Sequence, residues 1–396
     1  MRDTETIPDY PGHAFTGDPV PLPGAPVARV RLPSGNPVWL VTGYQEVRTA
    51  LTHPLLSRVV GEGDPEVGTS GAIGGYRKAF RTLQHDGAVH TQVRRPAARP
   101  FTARRIAALR ERVQQLTDGL LDELEAAGPP ADLVQGLAYP LPITVISELF
   151  GVPAEDRDRF TVWSDRIVTV LGTTVEEVDA ARSAIQGYLG ELVTARRAEP
   201  GDDVISGWLA SRHDTDDALT DTEIVRLAQT VLIGGYETTV NSIGAGMWRL
   251  FQHPEQLDAL RADPGLLPGA VEEILRYQPQ GTFFLIMVAR GELELGGVTI
   301  REGEGVMPLP AAANRDAGRF GEPDRFDIRR PPGGHVAFGH GAHACLGAAL
   351  ARIEMEVAIG SLLRRFPGLR PTEDLAALAW REDRLVNGLR ELPVTW

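Results

Sequence analysis

The chain has 396 residues, enough to bury a sizeable core, and its 42% hydrophobic and 6% aromatic content is ordinary for a globular protein. A formal net charge of -13 argues against nucleic-acid binding, which goes with a basic excess. One cysteine, Cys345, excludes an internal disulfide and the multi-cysteine zinc and iron–sulfur sites. It leaves a bland buried thiol, a nucleophile or a single thiolate ligand.

Residues 1–26 are rich in Pro, Gly and Asp and carry no apolar core behind a basic start. Neither a signal peptide nor an anchor is expected there. No stretch approaches the ~20 apolar residues of a membrane span, so the cytoplasm is the default. From residue 27 the pattern turns to strand. Val27–Val30 and Pro37–Thr42 flank Pro33-Ser34-Gly35-Asn36, which predicts a hairpin. Tyr44–His53 reads as a short helix, and the glycine-rich Val60–Tyr76 as a loop.

Helical spacing dominates from Ala103: Ile106, Leu109, Val113, Leu116, Leu120, Leu121 and Leu124 share a face until Gly128-Pro129-Pro130. Further helices fit Leu137–Leu149, Ala154–Val170, Val175–Ala198 and Asp203–Arg212, with the acidic run Asp214–Asp217 as a solvated link. Thr220 and Glu223 form a capping box that opens a pattern running to about Gln252, roughly 48 Å of helix at 1.5 Å per residue. Apolar on most faces and without heptads, it should cross the interior. Helices from Pro254 and over Leu266–Tyr277 follow, then an alternating Leu293–Ile300 with a Gly-Gly turn, and a last helix from beyond Cys345 to Phe366. No repeat or linker interrupts the chain. The expectation is one mainly α domain with a small β part (α+β) over 27–396, behind an irregular segment 1–26.

The chemistry gathers at four places. Phe338-Gly339-His340-Gly341-Ala342-His343-Ala344-Cys345-Leu346-Gly347 precedes a helix, where the dipole and free amides favour a thiolate. Gly234-Gly235-Tyr236-Glu237-Thr238-Thr239 lies mid-way along the long helix; each glycine there costs about 1 kcal/mol against Ala, and an acid with two hydroxyls adds polar cost. Helix packing with hydroxyl back-bonding is the competing explanation. Glu273-Ile-Leu-Arg276 places an acid and a base at i,i+3. His90-Thr-Gln-Val-Arg94 sets two cationic donors on one helical face, suited to a carboxylate.

In this order the four blocks resemble the cytochromes P-450: FxxGx[HR]xCxG at Phe338, Gly341, His343, Cys345 and Gly347; [AG]Gx[DE]T[TS] at Gly234–Thr239; ExxR; and HxxxR. The resemblance spans about Val27 to Trp396 and implies a helix-rich triangular prism around a buried haem b. It makes Cys345 the iron ligand. His90, Arg94, Gly234, Gly235, His335, Ala337, Phe338, Gly339, His343 and Gly347 become cofactor contacts, with both glycines making room for O2. Thr238 and Glu237 become the oxygen-activating and proton-relaying pair, and Glu273 with Arg276 a buried structural ion pair. A lipophilic substrate pocket is expected from Ile233, Thr282, Phe283, Phe284, Leu285 and Val386. The implied activity is monooxygenation by a monomer that consumes O2 and NAD(P)H-derived electrons from a separate ferredoxin or flavodoxin. Arg94, Arg95, Arg99, Arg104 and Arg352 are candidates for docking that partner. A peroxygenase or oxidative coupling enzyme on the same scaffold and a non-catalytic haem protein are the alternatives. The family's propionate-binding arginine, two residues before the Ala of an R-x-A strand, is replaced by Met287, so either another cation, His335 or a shifted Arg290, compensates or that propionate is more weakly held.

Overall fold

A computed structural model of the chain describes residues 7–9, 24–32, 35–59, 85–169, 172–210, 219–278, 286–384, 386 and 388–396. Among these the strands are β1 (Val27–Arg31), β2 (Pro37–Val41), β3 (Leu56–Ser57), β4 (Ala131–Asp132) and β5 (Met287–Ala289). They continue as β6 (Leu293–Leu295), β7 (Val298–Ile300), β8 (Gly305–Pro308), β9 (Arg370–Pro371) and β10 (Pro393–Thr395). The expected hairpin forms, with Val30 opposite Val38 and Gly35 at positive φ in its connection. It is one edge of a five-stranded sheet of order β1-β2-β8-β5-β3, in which only β2 and β8 run parallel. β6 and β7 pair across Gly296 and Gly297, both at positive φ as the turn demands. The proposed loop over Val60–Tyr76 lies outside the described residues.

Helices make the bulk of the molecule. The capping box at Thr220 and Glu223 is made in both directions, and from it Asp221–Gln252 runs 32 residues without a break. This central helix packs against the helices Pro140–Phe150, Val175–Ala198 and Ala348–Arg365. Ile224, Leu227, Leu232, Ile243 and Leu250 are fully or almost fully buried along it, which fits a rod crossing the interior. Thr174 and Glu177 cap Val175–Ala198 in the same reciprocal way.

Two helices begin or break where spacing alone did not place them. The Ala103–Ala127 run divides at Leu109, whose amide bonds back to Ile106, so two helices, Ala103–Ala108 and Arg110–Ala127, stand there. The helix expected from Leu137 starts at Pro140, because proline has no amide proton and opens a helix far more readily than it continues one. The preceding Val134–Ala138 is wound more loosely, with the Tyr139 amide reaching Val134 O at 2.8 Å.

Beneath the cysteine loop the helix Leu267–Tyr277 holds the ion pair predicted for Glu273 and Arg276. Arg276 Nε and Nη2 donate to the two Glu273 oxygens at 2.7 and 2.8 Å, with side chains 2% and 1% exposed. The remaining donors and acceptors are used. Arg276 Nη1 reaches the carbonyls of Asn314 and Pro323, both at 2.8 Å, and Glu273 Oε1 accepts from the Asp327 amide at 2.9 Å. Asn314 in turn accepts the Val336 amide on Oδ1 at 2.7 Å, which ties the pair to the start of the cysteine loop. Breaking one partner leaves a desolvated charge, so Glu273→Gln and Arg276→Ala are each expected to lower the unfolding free energy by about 3–5 kcal/mol, read from the urea midpoint and slope.

Candidate active site

The loop from Phe338 to Gly347 is shaped by two glycines at positive φ, Gly339 and Gly341, and closed by the Cys345 amide bonding Phe338 O at 2.8 Å. At Gly341 a Cβ would stand 2.5 Å from Thr52 Cγ2, so the glycine also permits close approach to the helix Tyr44–Thr52. Cys345 is accessible although it sits deep in the fold, which places its thiol on the floor of an internal cleft and not on the outer surface. Burial pushes the thiol pKa up. The Gly347 amide, the charges of Arg94 and Arg352 and the Ala348 amide all pull it back toward thiolate. These donors sit at the first turn of Ala348–Arg365, the position expected for a helix-stabilised anion.

On the neighbouring helix Gly87–Ala98, His90 and Arg94 face the same loop. The His90 and His343 rings lie 3.9 Å apart, and Arg94 Nη2 donates to Ala344 O. His90 is 4% exposed and its Nε2 has no hydrogen-bond partner. Burial lowers the pKa of His90, with Arg94 and Arg58 adding to the effect. Burial, Arg58, His90 and Arg94 together hold His343 down at about 3. Among the described residues Asp86 is the carboxylate near this group, 3.8 Å from His343. The two imidazoles are held toward the neutral form by burial and the charges of Arg58 and Arg94, and an anion joining this group would pair the two guanidinium charges and the buried His90 Nε2. The donor set fits a haem: a thiolate with amide support for the iron, and a desolvated cationic group for its carboxylates.

The central helix divides the oxygen-activation block. Gly234 is exposed within a helix otherwise buried around it, so it opens onto internal space. Gly235 does not; a Cβ there would come within 3.1 Å of Ile146, and the glycine serves the approach of the Pro140–Phe150 helix. The expectation that both glycines make room for O2 is therefore corrected for Gly235. Thr238 Oγ1 donates to Gly234 O at 2.8 Å, and Thr239 and Ser242 bond back one turn in the same way, so the competing back-bonding explanation is also present.

Glu237 is 1% exposed and neither carboxylate oxygen has a hydrogen-bond partner among the described residues. Burial raises its pKa; Arg384, 3.7 Å away, opposes this and Asp165 reinforces it. Arg384 grips Asp165 at 2.9 and 3.1 Å, and Tyr236 donates to the same carboxylate at 2.7 Å. Nothing in the sequence singled out Asp165 or Arg384, since they come from segments 219 residues apart and no motif spans them.

Other expectations need correction. His335 is not free for a propionate: its Nε2 lies 3.1 Å from Glu272 Oε2 and its Nδ1 accepts the Ala337 amide at 3.2 Å. Arg352 also binds Glu272, through both Nε and Nη2, and lies over the Phe338 ring at 4.6 Å. Arg290 is exposed and bonded to Val59 O, so it does not replace the missing arginine. Ile233, 1% exposed, belongs to the main core and does not line the cleft. Val386 is also buried, and its carbonyl accepts from Asn241 at 3.4 Å. Thr282, Phe283, Phe284 and Leu285 lie outside the described residues. Ala337 is exposed, Phe338 and Gly339 half-buried, and Gly347 caps the helix after the cysteine.

A family model for cytochrome P-450 matches residues 163–264 and 265–374. The chain belongs to the cytochrome P-450 family. It is 44% identical to nocardicin C N-oxygenase of Nocardia uniformis subsp. tsuyamanensis, over 96% of this chain and 97% of that one. It is 40% identical to mycinamicin IV hydroxylase/epoxidase of Micromonospora griseorubida, over 94% and 92%. The solved LnmA cytochrome P-450 hydroxylase from the leinamycin biosynthetic pathway of Streptomyces atroolivaceus superposes with a TM-score of 0.91 at 42% identity, covering 98% of this chain and all of that one. This cytochrome P-450 is thus a haem-thiolate monooxygenase with haem b as cofactor and electrons drawn from NAD(P)H.

The site makes two predictions. The reduced protein exposed to CO should give the red-shifted Soret band of thiolate ligation, and Cys345→Ala should lose that band or the haem; a histidine-type spectrum would refute Cys345 as ligand. The second concerns Glu272. Although burial pushes its carboxyl upward, His335 and Arg352 hold it down at about 2 against an ordinary 4.5. A carboxylate with a depressed pKa adds stability above the unfolded value and loses it as pH falls through the folded one. The stability gap between wild type and Glu272→Gln should therefore be constant above roughly pH 5 and narrow from 4.5 toward 2, as measured by chemical denaturation.

Proposed function

We propose that this cytochrome P-450 tailors a secondary metabolite, inserting one atom of O2 into a lipophilic polyketide, terpenoid or aromatic peptide. The observation that carries the catalytic reading is the accessible but deeply set Cys345 thiol, supported by the Gly347 and Ala348 amides. The class of substrate follows from the relatives, which act on nocardicin C and mycinamicin IV or serve leinamycin biosynthesis.

Haem b held by Cys345 supplies the redox chemistry, and the protein's share is positioning, exclusion of water and control of protons. Thr238 presents its hydroxyl beside the open Gly234 carbonyl, where it is placed to hold a proton next to the reacting oxygen. Glu237, buried and reluctant to ionise, is placed to hand a proton on to it. Arg384, 13% exposed, spans Asp165 and Glu237, and so offers Glu237 a route outward. Electrons come from a separate ferredoxin or flavodoxin. Of the five arginines considered for its docking, Arg95, Arg99 and Arg104 are exposed and form the face for an acidic partner. No helix among the described residues is long and apolar enough to cross a membrane. The enzyme is proposed as a monomeric single domain over 27–396 acting in the cytoplasm.

Lipophilic candidates should shift the iron spin state, and turnover with NADPH, ferredoxin, ferredoxin reductase and isotopically labelled O2 should place one labelled atom in the product. Unlabelled product, or turnover with peroxide alone at the same rate, would overturn the monooxygenase reading. Thr238→Ala should retain haem and substrate binding within about 0.5 kcal/mol of wild-type stability while diverting electrons into peroxide. Unchanged coupling in Thr238→Ala would remove Thr238 from the proton path. Glu237→Gln should slow turnover and enlarge the solvent isotope effect.

A further inference from the structure

Met287 offers no charge where the family has its arginine. It is 2% exposed and packs in an apolar cluster with Leu51, Leu56 and Val336. Yet β5, which carries it, is paired antiparallel with β3, Leu56 opposite Ala289 and Ser57 opposite Val288. Arg58 is the next residue, at a bend just past the end of β3, so the register continued by one step would set it across from Met287 and on the same face.

Arg58 is held there from the other side. Its amide donates to Asp86 Oδ2 at 3.2 Å, and Ser57 Oγ donates to the same oxygen at 2.5 Å. Asp86 also precedes the helix that carries His90 and Arg94. The guanidinium makes no hydrogen bond or ion pair among the described residues, and its Nε is buried without a partner. Its charge is nonetheless felt by both His90 and His343. Burial lowers the Arg58 pKa to about 10, against the attraction of Asp86 and with the repulsion of Arg94. A desolvated guanidinium among like charges is unfavourable by itself and becomes favourable when an anion joins it.

We propose that Arg58 is the haem-carboxylate ligand of this enzyme, standing across the β3–β5 ladder from the position Met287 occupies. The cation has moved to the bend that follows the neighbouring strand. The proposal rests on the haem reading above and adds the identity of the third cation beside His90 and Arg94.

The test uses the holoenzyme and two readouts. Arg58→Met should speed haem transfer to apomyoglobin by on the order of tenfold or more, the loss of one charge-assisted bond, and should shift the propionate bending modes in the resonance Raman spectrum. Arg58→Lys keeps the charge without the fork and should fall between Arg58→Met and wild type. Met287→Arg should restore both readouts in the Arg58→Met background and change them less than about twofold in wild type, since the two positions serve one carboxylate. Wild-type transfer rates in Arg58→Met, faster loss with the propionate modes unmoved, or an equal gain from Met287→Arg in both backgrounds would each overturn it. Should Arg58→Met not fold, Arg58→Lys alone decides: unchanged propionate modes there refute the contact. Failure of the haem reading is seen separately, as the absence of the thiolate-type CO band in wild type.

Discussion

The Glu273–Arg276 pair is the fixed point from which the reactive loop is hung. A buried ion pair alone is poor evidence of stability, because desolvation consumes most of the attraction. Here every spare donor and acceptor is taken, and the bonds radiate to Asn314, Pro323, Arg325 and Asp327, in the chain that leads up to the loop. From Asn314 the link passes through the Val336 amide, and from Phe338 O to the Cys345 amide. A rigid, directional set of bonds thus reaches from a helix to the sulfur. Apolar packing, which is non-directional, would not hold a thiol at a set angle.

The same helix performs a second, electrostatic task one residue earlier. Glu272 takes His335 and Arg352, and Arg352 covers Phe338. Adjacent acids on Leu267–Tyr277 therefore grip both flanks of the loop, the chain before Phe338 and the helix after Cys345. With His335 and Arg352 taken by Glu272, the donors left for an anionic ligand come from elsewhere: from Gly87–Ala98, from His343 and from Arg58 just past the end of β3.

Local signals made much of this legible. The capping box at Thr220 fixed the start of the central helix to the residue, because the reciprocal bonds are made within four residues. The four motifs named Cys345, His90, Arg94, Glu273, Arg276, Glu237 and Thr238. What escaped depends on contacts between distant segments. Strands β5 and β8 are three and four residues long and continuously buried, so they show no alternation. Gly235 reads like Gly234 until the facing Ile146 is known. His335 has the chemistry of a propionate donor, and only the fold shows Glu272 holding it. Arg58 belongs to no motif, and its relation to Met287 exists only in the register of two strands 229 positions apart.

The central helix shows why two glycines, an acid and two hydroxyls are worth their cost in a buried rod. Residues four apart share a face, so Gly234 and Thr238 stand one above the other on the side that opens to internal space. Glu237, one step back from Thr238 around the helix, is turned away into low dielectric, where it meets Arg384. The same turn thus sets an open face beside a buried acid. The hydroxyls of Thr238, Thr239 and Ser242 are each bonded to the carbonyl four residues before, so none of them is left unsatisfied within the rod.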